Sequence, residues 1–281
     1  MIEPRAAEAG LCPVCGGGSW RTIRSADAFA VARCRTCGLA RTEPAPAESD
    51  GREHFAEDYA HYKRFYDEQR ELRYSFVAPP LRLLEEFVGR GRILDVGCGL
   101  GFFLDSARQH GYECVGIDTS VGATRFARED LHLDVVTGDF LAANFEPANP
   151  FDAITMNHVL EHISSPIRFL GKVRRLLRPG GVAISASPNY GGLVPRLLGH
   201  RWYGLQPSQH VWQFTPGSYA ALFRTAGFTV ERTEVTSMHY AFGSGWKGDV
   251  CCCLARLATV LGQGDNMILV ARALEGEPPD G

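Results

Sequence analysis

The residues Leu94-Asp95-Val96-Gly97-Cys98-Gly99-Leu100-Gly101-Phe102-Phe103-Leu104 decide the fold. The apolar run 93–96 reads as a buried strand, three glycines follow at alternate positions, and an apolar-periodic helix comes next. Glycine permits a tight turn and lets a ligand approach the backbone closely. The helix start offers N–H groups without intrahelical partners and a partly positive end, which suits a carboxylate or a phosphate. The stretch predicts a cofactor loop on an α/β sheet.

The dinucleotide fingerprint needs its third glycine where this chain has Phe102. Here the glycines fall at 97, 99 and 101, with Asp95 just before the first and the acidic Asp118 closing the next strand, 113–117. This pattern resembles the first motifs of the class I S-adenosylmethionine (SAM) dependent methyltransferases, strand-Asp-x-Gly-x-Gly-x-Gly. From residue 92 the chain alternates strands and helices, which predicts a mainly parallel sheet covered on both faces. Strands are expected at 92–96, 113–117, 133–136, 153–156, 182–186, 229–235 and 267–271, the last two as the antiparallel closure of a seven-stranded Rossmann-like sheet.

Ligands of open parallel sheets sit beyond the carboxyl ends of the strands. Each early strand ends on a polar group: Asp95, then Asp118-Thr119, then Gly138-Asp139-Phe140, then Asn157-His158. The resemblance implies that Asp118 holds the ribose hydroxyls, with Thr119 beside it. It also implies that Asp139 binds the adenine amine with Phe140 beside the ring. The loop with Gly97, Cys98, Gly99 and Gly101, and the backbone near Asn157, would hold the methionine part. A helix N-cap is the commoner fate of one acid after a strand, but it explains four coincident positions poorly. Two more stretches carry the likeness: Asn157-His158-Val159-Leu160-Glu161-His162-Ile163 resembles the fourth-motif segment of methyltransferases related to ubiquinone biosynthesis, and Leu176-Leu177-Arg178-Pro179-Gly180-Gly181 their turn before strand five. His158, Glu161 and His162 mimic a metal cluster. Neighbours on a helix do not share a face, which favours hydrogen-bonded positioning of this loop.

Near the N-terminus, Cys12-x-x-Cys15 and Cys34-x-x-Cys37 stand eighteen residues apart. Two such knuckles bring four thiolates to one tetrahedral ion, which predicts a structural Zn ribbon over residues 1–45. So short a segment has little core, so the ion would supply much of its folding energy. A ribbon could also grip RNA, but residues 1–50 hold six Arg and six acidic side chains, so no basic footprint marks it.

Residues 46–90 read as a proline-bearing linker and a helical segment dense in aromatics. Rings at helical spacing usually pack a helix onto its neighbour. The alternative is a lid, with Tyr62, Tyr66 and Arg73 as contacts to cofactor or substrate.

Residues 91–281 form the SAM-binding domain in this reading, with an acceptor loop at about 187–215 that includes Gln209-His210-Val211-Trp212-Gln213-Phe214-Thr215-Pro216. Long polar and aromatic loops on a rigid scaffold carry specificity. Methyl transfer from a sulfonium requires an aligned nucleophile and often removal of its proton, and His210 suits that task as a general base. The alternative role of His210 is to hold the loop by hydrogen bonds.

A net charge of −3 argues against a nucleic-acid surface, and 45% hydrophobic with 22% charged residues is ordinary for a globular chain. Nine cysteines without a recognisable signal segment point to a reducing, cytoplasmic setting. The stretch 250–261 is too short to cross a bilayer, and Cys251, Cys252 and Cys253 read as small apolar residues on it. The expected activity is SAM-dependent methylation, chiefly on oxygen, of a small polar acceptor such as a saccharide or a natural-product intermediate. Alternatives are an RNA-modifying methyltransferase, a non-catalytic SAM-binding scaffold and an NAD-linked enzyme.

Overall fold

The computed structural model describes residues 10–26, 28–46, 59–145, 149–237, 253 and 255–274. Residues 47–58 of the expected linker and helical segment, and Cys251 and Cys252, lie outside these residues. Cys253 itself is exposed.

The ribbon is a small antiparallel meander of β1 (Trp20–Ala26), β2 (Phe29–Cys34) and β3 (Ala40–Glu43). Its knuckles are built alike: the Gly16 N–H donates to the Cys12 carbonyl at 2.8 Å, and the Gly38 N–H to the Cys34 carbonyl at 3.1 Å. A 30-residue helix, α1 (Tyr59–Val88), follows and runs through Pro79 and Pro80.

The main domain then alternates: β4 (Arg92–Val96), α2 (Phe102–Gln109), β5 (Glu113–Asp118), α3 (Val121–Glu129), β6 (Val135–Thr137), β7 (Phe151–Asn157), α4 (Pro166–Leu176) and β8 (Leu177–Pro188). After these come α5 (Leu193–Leu198), β9 (Trp212–Gln213), α6 (Pro216–Thr225), β10 (Phe228–Thr236) and β11 (Asn266–Ala273). The seven-stranded sheet has the order β10-β11-β8-β7-β4-β5-β6. Pairing is parallel from β8 to β6, while β11 is antiparallel to both β8 and β10. From β4 the chain winds outward through β5 and β6 and then crosses back to β7 on the other side of β4, so the strand order reverses at β4, where the crevice that binds ligands in such sheets opens.

Near-continuous apolar runs make the central strands, as expected where helices cover both faces. Ile93, Leu94, Ala153, Ile154, Ala183 and Ile184 are fully buried. Each large aliphatic side chain so buried contributes about 1.5–3 kcal/mol.

The strand expected at 182–186 is longer than the spacing predicted. β8 starts at Leu177 and carries Arg178-Pro179-Gly180-Gly181 within it, because Phe151 pairs with Leu177 while Ala153 pairs with Val182. The glycine turn is therefore a bulge on β8, with Gly180 at φ 72°. Expected strand 133–136 is likewise shifted, to Val135–Thr137.

The ribbon is fused to the main domain. β9 pairs antiparallel with β3, so a segment of the expected acceptor loop forms the fourth strand of the ribbon sheet. Cys12, Cys34 and Leu39 share one apolar core with Trp212, Phe214 and Phe223.

Candidate active site and four-cysteine centre

The glycine loop begins where β4 ends. Gly97 sits at φ 74°, and a Cβ there would lie 2.6 Å from the Val159 side chain. Gly101 sits at φ 86°, and a Cβ there would lie 2.4 Å from Leu133. Both positions demand glycine for conformation and for space. A Cβ added at Gly99 would meet nothing within 4 Å, so the space beside this residue is open. Cys98 is buried, and its side chain packs among the core residues that include Phe103 and Leu104.

Asp118 organises the loop. One carboxylate oxygen accepts the Gly99 N–H and the other the Ser120 N–H, each at 2.8 Å. Desolvation pushes its pKa up, against the hydrogen bonds from Ser120, Gly99 and Thr119. Ser120 is the N-cap of α3, and its hydroxyl lies 3.0 Å from that of Tyr62 on α1. Thr119, between Asp118 and Ser120 in the chain, is half-buried. Tyr66 stacks on Phe102 with centroids 5.2 Å apart, and Tyr74 donates to Asp105 at 2.6 Å. The aromatic face of α1 thus seals the starts of α2 and α3 beside the cofactor loop. Arg73 lies over the Phe65 ring of the same helix.

Asp95 is 3% exposed and accepts the Thr155 hydroxyl at 2.6 Å. Burial, helped by the charge of Asp118, pushes its pKa up to about 7 against that hydrogen bond. Asp139 accepts the Ala142 N–H at 2.8 Å, a local cap of the kind common after strands. The Phe140 ring is turned into the core against Phe169 and Phe145. Lys172 on α4 donates to the carbonyls of Phe140, Leu141 and Ala143 and so ties down this loop, a role its sequence position did not suggest.

At the end of β7, the side-chain oxygen of Asn157 is buried without a hydrogen-bond partner among the described residues. A buried acceptor of this kind is costly unless a ligand donor meets it. Together with the open glycine loop and the Asp118 carboxylate, it fits the amino and ribose groups of a SAM molecule.

Next to Asn157 the chain makes a short 3-10 turn, Leu160–His162, rather than an α-helix. That turn brings Glu161 and His162 to the distant His210. One donor atom from each of the three lies within 4.8 Å of the others. The facing argument from the sequence assumed α-helical spacing, and it missed the third donor because His210 belongs to another loop. Both imidazoles are anchored through Nδ1: His210 to the Gly204 carbonyl at 3.0 Å and His162 to the Gln209 carbonyl at 3.3 Å. Donation from Nδ1 leaves the Nε2 lone pair of each ring available.

Glu161 is 1% exposed; Ser187 donates to one oxygen at 3.1 Å, and His158 Nδ1 stands 3.2 Å from the other. That second oxygen still lacks a well-formed hydrogen bond among the described residues. Desolvation pushes Glu161 up, but the His158, His210 and His162 rings outweigh it and hold the carboxyl at about 2. Burial lowers His210 to about 4, with Glu161 pulling the other way, so the ring is neutral at pH 7.

In the ribbon, Cys12 and Cys37 Sγ are 3.4 Å apart, Cys15 and Cys34 Sγ 3.5 Å, and all four lie within 4.8 Å of one another. A zinc tetrahedron with bonds of about 2.3 Å has sulfur–sulfur edges of about 3.8 Å, so the set fits such an ion. Desolvation opposes ionisation of Cys34, but the N–H groups of Cys37 and Thr36 overcome it and bring the thiol to about 7. Burial pushes Cys12 and Cys37 up.

With β11 antiparallel to both its neighbours, next to the edge strand β10 of an otherwise parallel order, the fold is that of the class I methyltransferase sheet. A family model described as a methyltransferase domain matches residues 66–233, and the chain belongs to that family. The chain is similar to the ubiquinone biosynthesis O-methyltransferase of Alkalilimnicola ehrlichii, 37% identical over 139 residues. That match covers 45% of this chain and 55% of the relative, so the chain spans about half the length of this curated relative. Among solved structures it is similar to a SAM dependent methyltransferase from Archaeoglobus fulgidus (TM-score 0.54, 20% identity, 75% of this chain and 99% of that one). It is also similar to the 1,6-didemethyltoxoflavin-N1-methyltransferase of Burkholderia thailandensis, solved with 1,6-didemethyltoxoflavin and S-adenosylhomocysteine (TM-score 0.54, 17% identity, 92% and 100%). At these identities the two structures speak for the fold alone. No helix among the described residues is long and apolar enough to cross a membrane.

Proposed function

We propose that the protein transfers a methyl group from SAM to a hydroxyl of a small polar acceptor held between the glycine loop and the 158–162 and 204–215 loops. Asp118 and the Gly97–Gly101 backbone hold the ribose and methionine parts, Asn157 accepts the amino group, and the Asp139–Phe140 loop lies at the adenine. The observation that carries the acceptor assignment is the anchored His210 ring: its Nδ1 lies 3.0 Å from the Gly204 carbonyl, and donation there makes Nε2 the ring's acceptor nitrogen. In the reaction the acceptor oxygen bonds to the methyl carbon as the carbon–sulfur bond breaks, and the hydroxyl proton passes to Nε2. A base as weak as His210 favours a hydroxyl that is already acidic, so phenols suit this site better than sugars. Methylation of oxygen is also what the printed name of the Alkalilimnicola relative describes.

A second reading of the same centre is favoured by its donor set. Two imidazoles and a buried carboxylate, with one donor atom from each within 4.8 Å of the others, suit a divalent cation, which when bound would polarise the acceptor oxygen. His210 serves both readings. The four cysteines hold a structural zinc, since four thiolates leave no open position for chemistry.

The test is transfer of labelled methyl from SAM to panels of phenols and methyl glycosides, with and without added Mg²⁺ or Mn²⁺, by the parent and His210→Gln. Labelled phenol ethers from the parent alone support the O-methyl reading with His210. Equal turnover by the variant removes His210 from the reaction, and strict dependence on the added cation selects the second reading.

A further inference from the structure

The ribbon reaches into the acceptor centre through one side chain. Thr42, on β3, is 1% exposed. Its N–H donates to the Val211 carbonyl at 2.9 Å, and its hydroxyl to the His210 carbonyl at 2.7 Å. The Gln213 amide donates to that hydroxyl at 3.2 Å and to the Leu205 carbonyl at 2.9 Å. On the opposite side of β9, the Val211 N–H donates to the Glu161 carbonyl and the Trp212 indole to the Ile163 carbonyl, both at 2.8 Å. The strip His210–Gln213 is therefore gripped between the ribbon and the turn that carries Glu161 and His162. A two-residue strand has no stability of its own and takes its geometry from what flanks it.

We propose that Thr42 is a positioning residue for the acceptor centre. It fixes the His210 backbone, and with it the ring, so the centre depends on a metal-loaded ribbon while the cofactor site does not. This rests on the reading of His210 as part of the acceptor centre. Two of the bonds on His210, from its N–H to the Gln206 carbonyl and from its ring to the Gly204 carbonyl, stay within the same loop. Among the described residues, the Thr42 hydroxyl supplies the hydrogen bond that ties His210 to a separate element, beside the ring contact with His162. Asp118, Gly99 and Ser120, by contrast, are bonded to one another across β5 and the glycine loop. Cys34 and Cys37 flank the turn between β2 and β3, so an ion held by the four thiolates would fix the approach of these strands, and Thr42 would pass that order on.

Thr42→Val keeps the shape of the side chain and removes the hydroxyl, while Thr42→Ser keeps the hydroxyl. The full chain, loaded with zinc, is compared in three readouts: the nitrogen-detected signature of the His210 Nδ1–H tautomer, amide exchange over residues 209–213, and calorimetric binding of S-adenosylhomocysteine. The valine variant should lose the single tautomer and exchange these amides roughly five- to tenfold faster, as expected for one lost buried hydrogen bond. It should bind S-adenosylhomocysteine and one zinc as the parent does, and serine should restore the parental spectrum. Stripping zinc from the parent with a chelator is a second arm that needs no variant, and it should move the same tautomer and amides while leaving S-adenosylhomocysteine affinity unchanged. An unchanged tautomer in both arms, or cofactor affinity falling in step with it, would overturn the proposal. If His210→Gln turns over as the parent while Thr42→Val still alters the tautomer, the catalytic reading of His210 has failed and the positioning by Thr42 stands.

Discussion

The carboxylate of Asp118 accepts the backbone N–H of Gly99 at 2.8 Å, so the end of one strand holds the loop that leaves its neighbour. With its other oxygen on the Ser120 N–H, the same side chain shapes the loop, and its remaining lone pairs are the ones proposed above to meet a ribose. Asp118→Ala should weaken S-adenosylhomocysteine binding about tenfold or more, since hydrogen bonds to a charged group are worth about 1.5–3 kcal/mol each. Zinc content, measured on the same sample, should stay at the parental value because the ribbon contacts lie elsewhere.

Gly101 starts α2 from a left-handed conformation, φ 86°, against Leu133. An alanine there meets both a backbone penalty of about 1–2 kcal/mol and a clash with a packed side chain. Gly101→Ala should lower the melting temperature by several degrees, while Gly138→Ala, where nothing lies within 4 Å, should change it little. Equal melting of the two variants would count against the tight packing of the loop.

Two buried carboxyls give opposite pH signatures. Asp95 is raised to about 7 in the fold from an ordinary value of 3.8. Between these values the folded state holds a proton that the unfolded state has lost, so its contribution to stability falls as pH rises. Asp95→Asn should flatten that slope and raise the melting temperature near pH 7. Glu161 is held at about 2, below its ordinary 4.5, so its stabilisation is present above pH 4.5 and is lost as pH falls toward 2. Glu161→Gln should remove this acid-side loss and destabilise the protein at neutral pH. Melting curves across the pH range check both signs.

Lys172 donates to three successive-loop carbonyls next to Asp139, and burial lowers its pKa. Lys172→Met should loosen the Asp139–Phe140 loop and weaken S-adenosylhomocysteine more than it weakens a ligand without the adenine. Calorimetry with S-adenosylhomocysteine and with homocysteine separates the two. Equal losses would place the lysine outside the adenine end of the site.

The places of Asp95, the three glycines, Asp118 and Asn157 were legible in the chain because they are local: each sits at or just after a strand end, where the alternating pattern puts it. The four cysteines were legible for the same reason, through their knuckle spacing. Of the proposed acceptor centre, the chain showed His210 and its loop but not what surrounds them. Its partners, Thr42 with His210 and Glu161 with Val211, meet only through tertiary pairing of β3 with β9, which no periodicity announces. The 3-10 turn at Leu160–His162 also replaced the helical spacing on which the facing argument relied. Phe140 shows the remaining gap: a ring beside a cofactor motif was read as a ligand contact, yet Phe169 and Phe145 draw it into the core.

The most direct test of the account is a calorimetric titration of the zinc-loaded protein with S-adenosylhomocysteine, with NAD as control and Asp118→Ala alongside. The account predicts one site for S-adenosylhomocysteine per chain, no heat with NAD and a clear loss in the variant. A folded, zinc-loaded protein that ignores S-adenosylhomocysteine, or that binds NAD in its place, would contradict it.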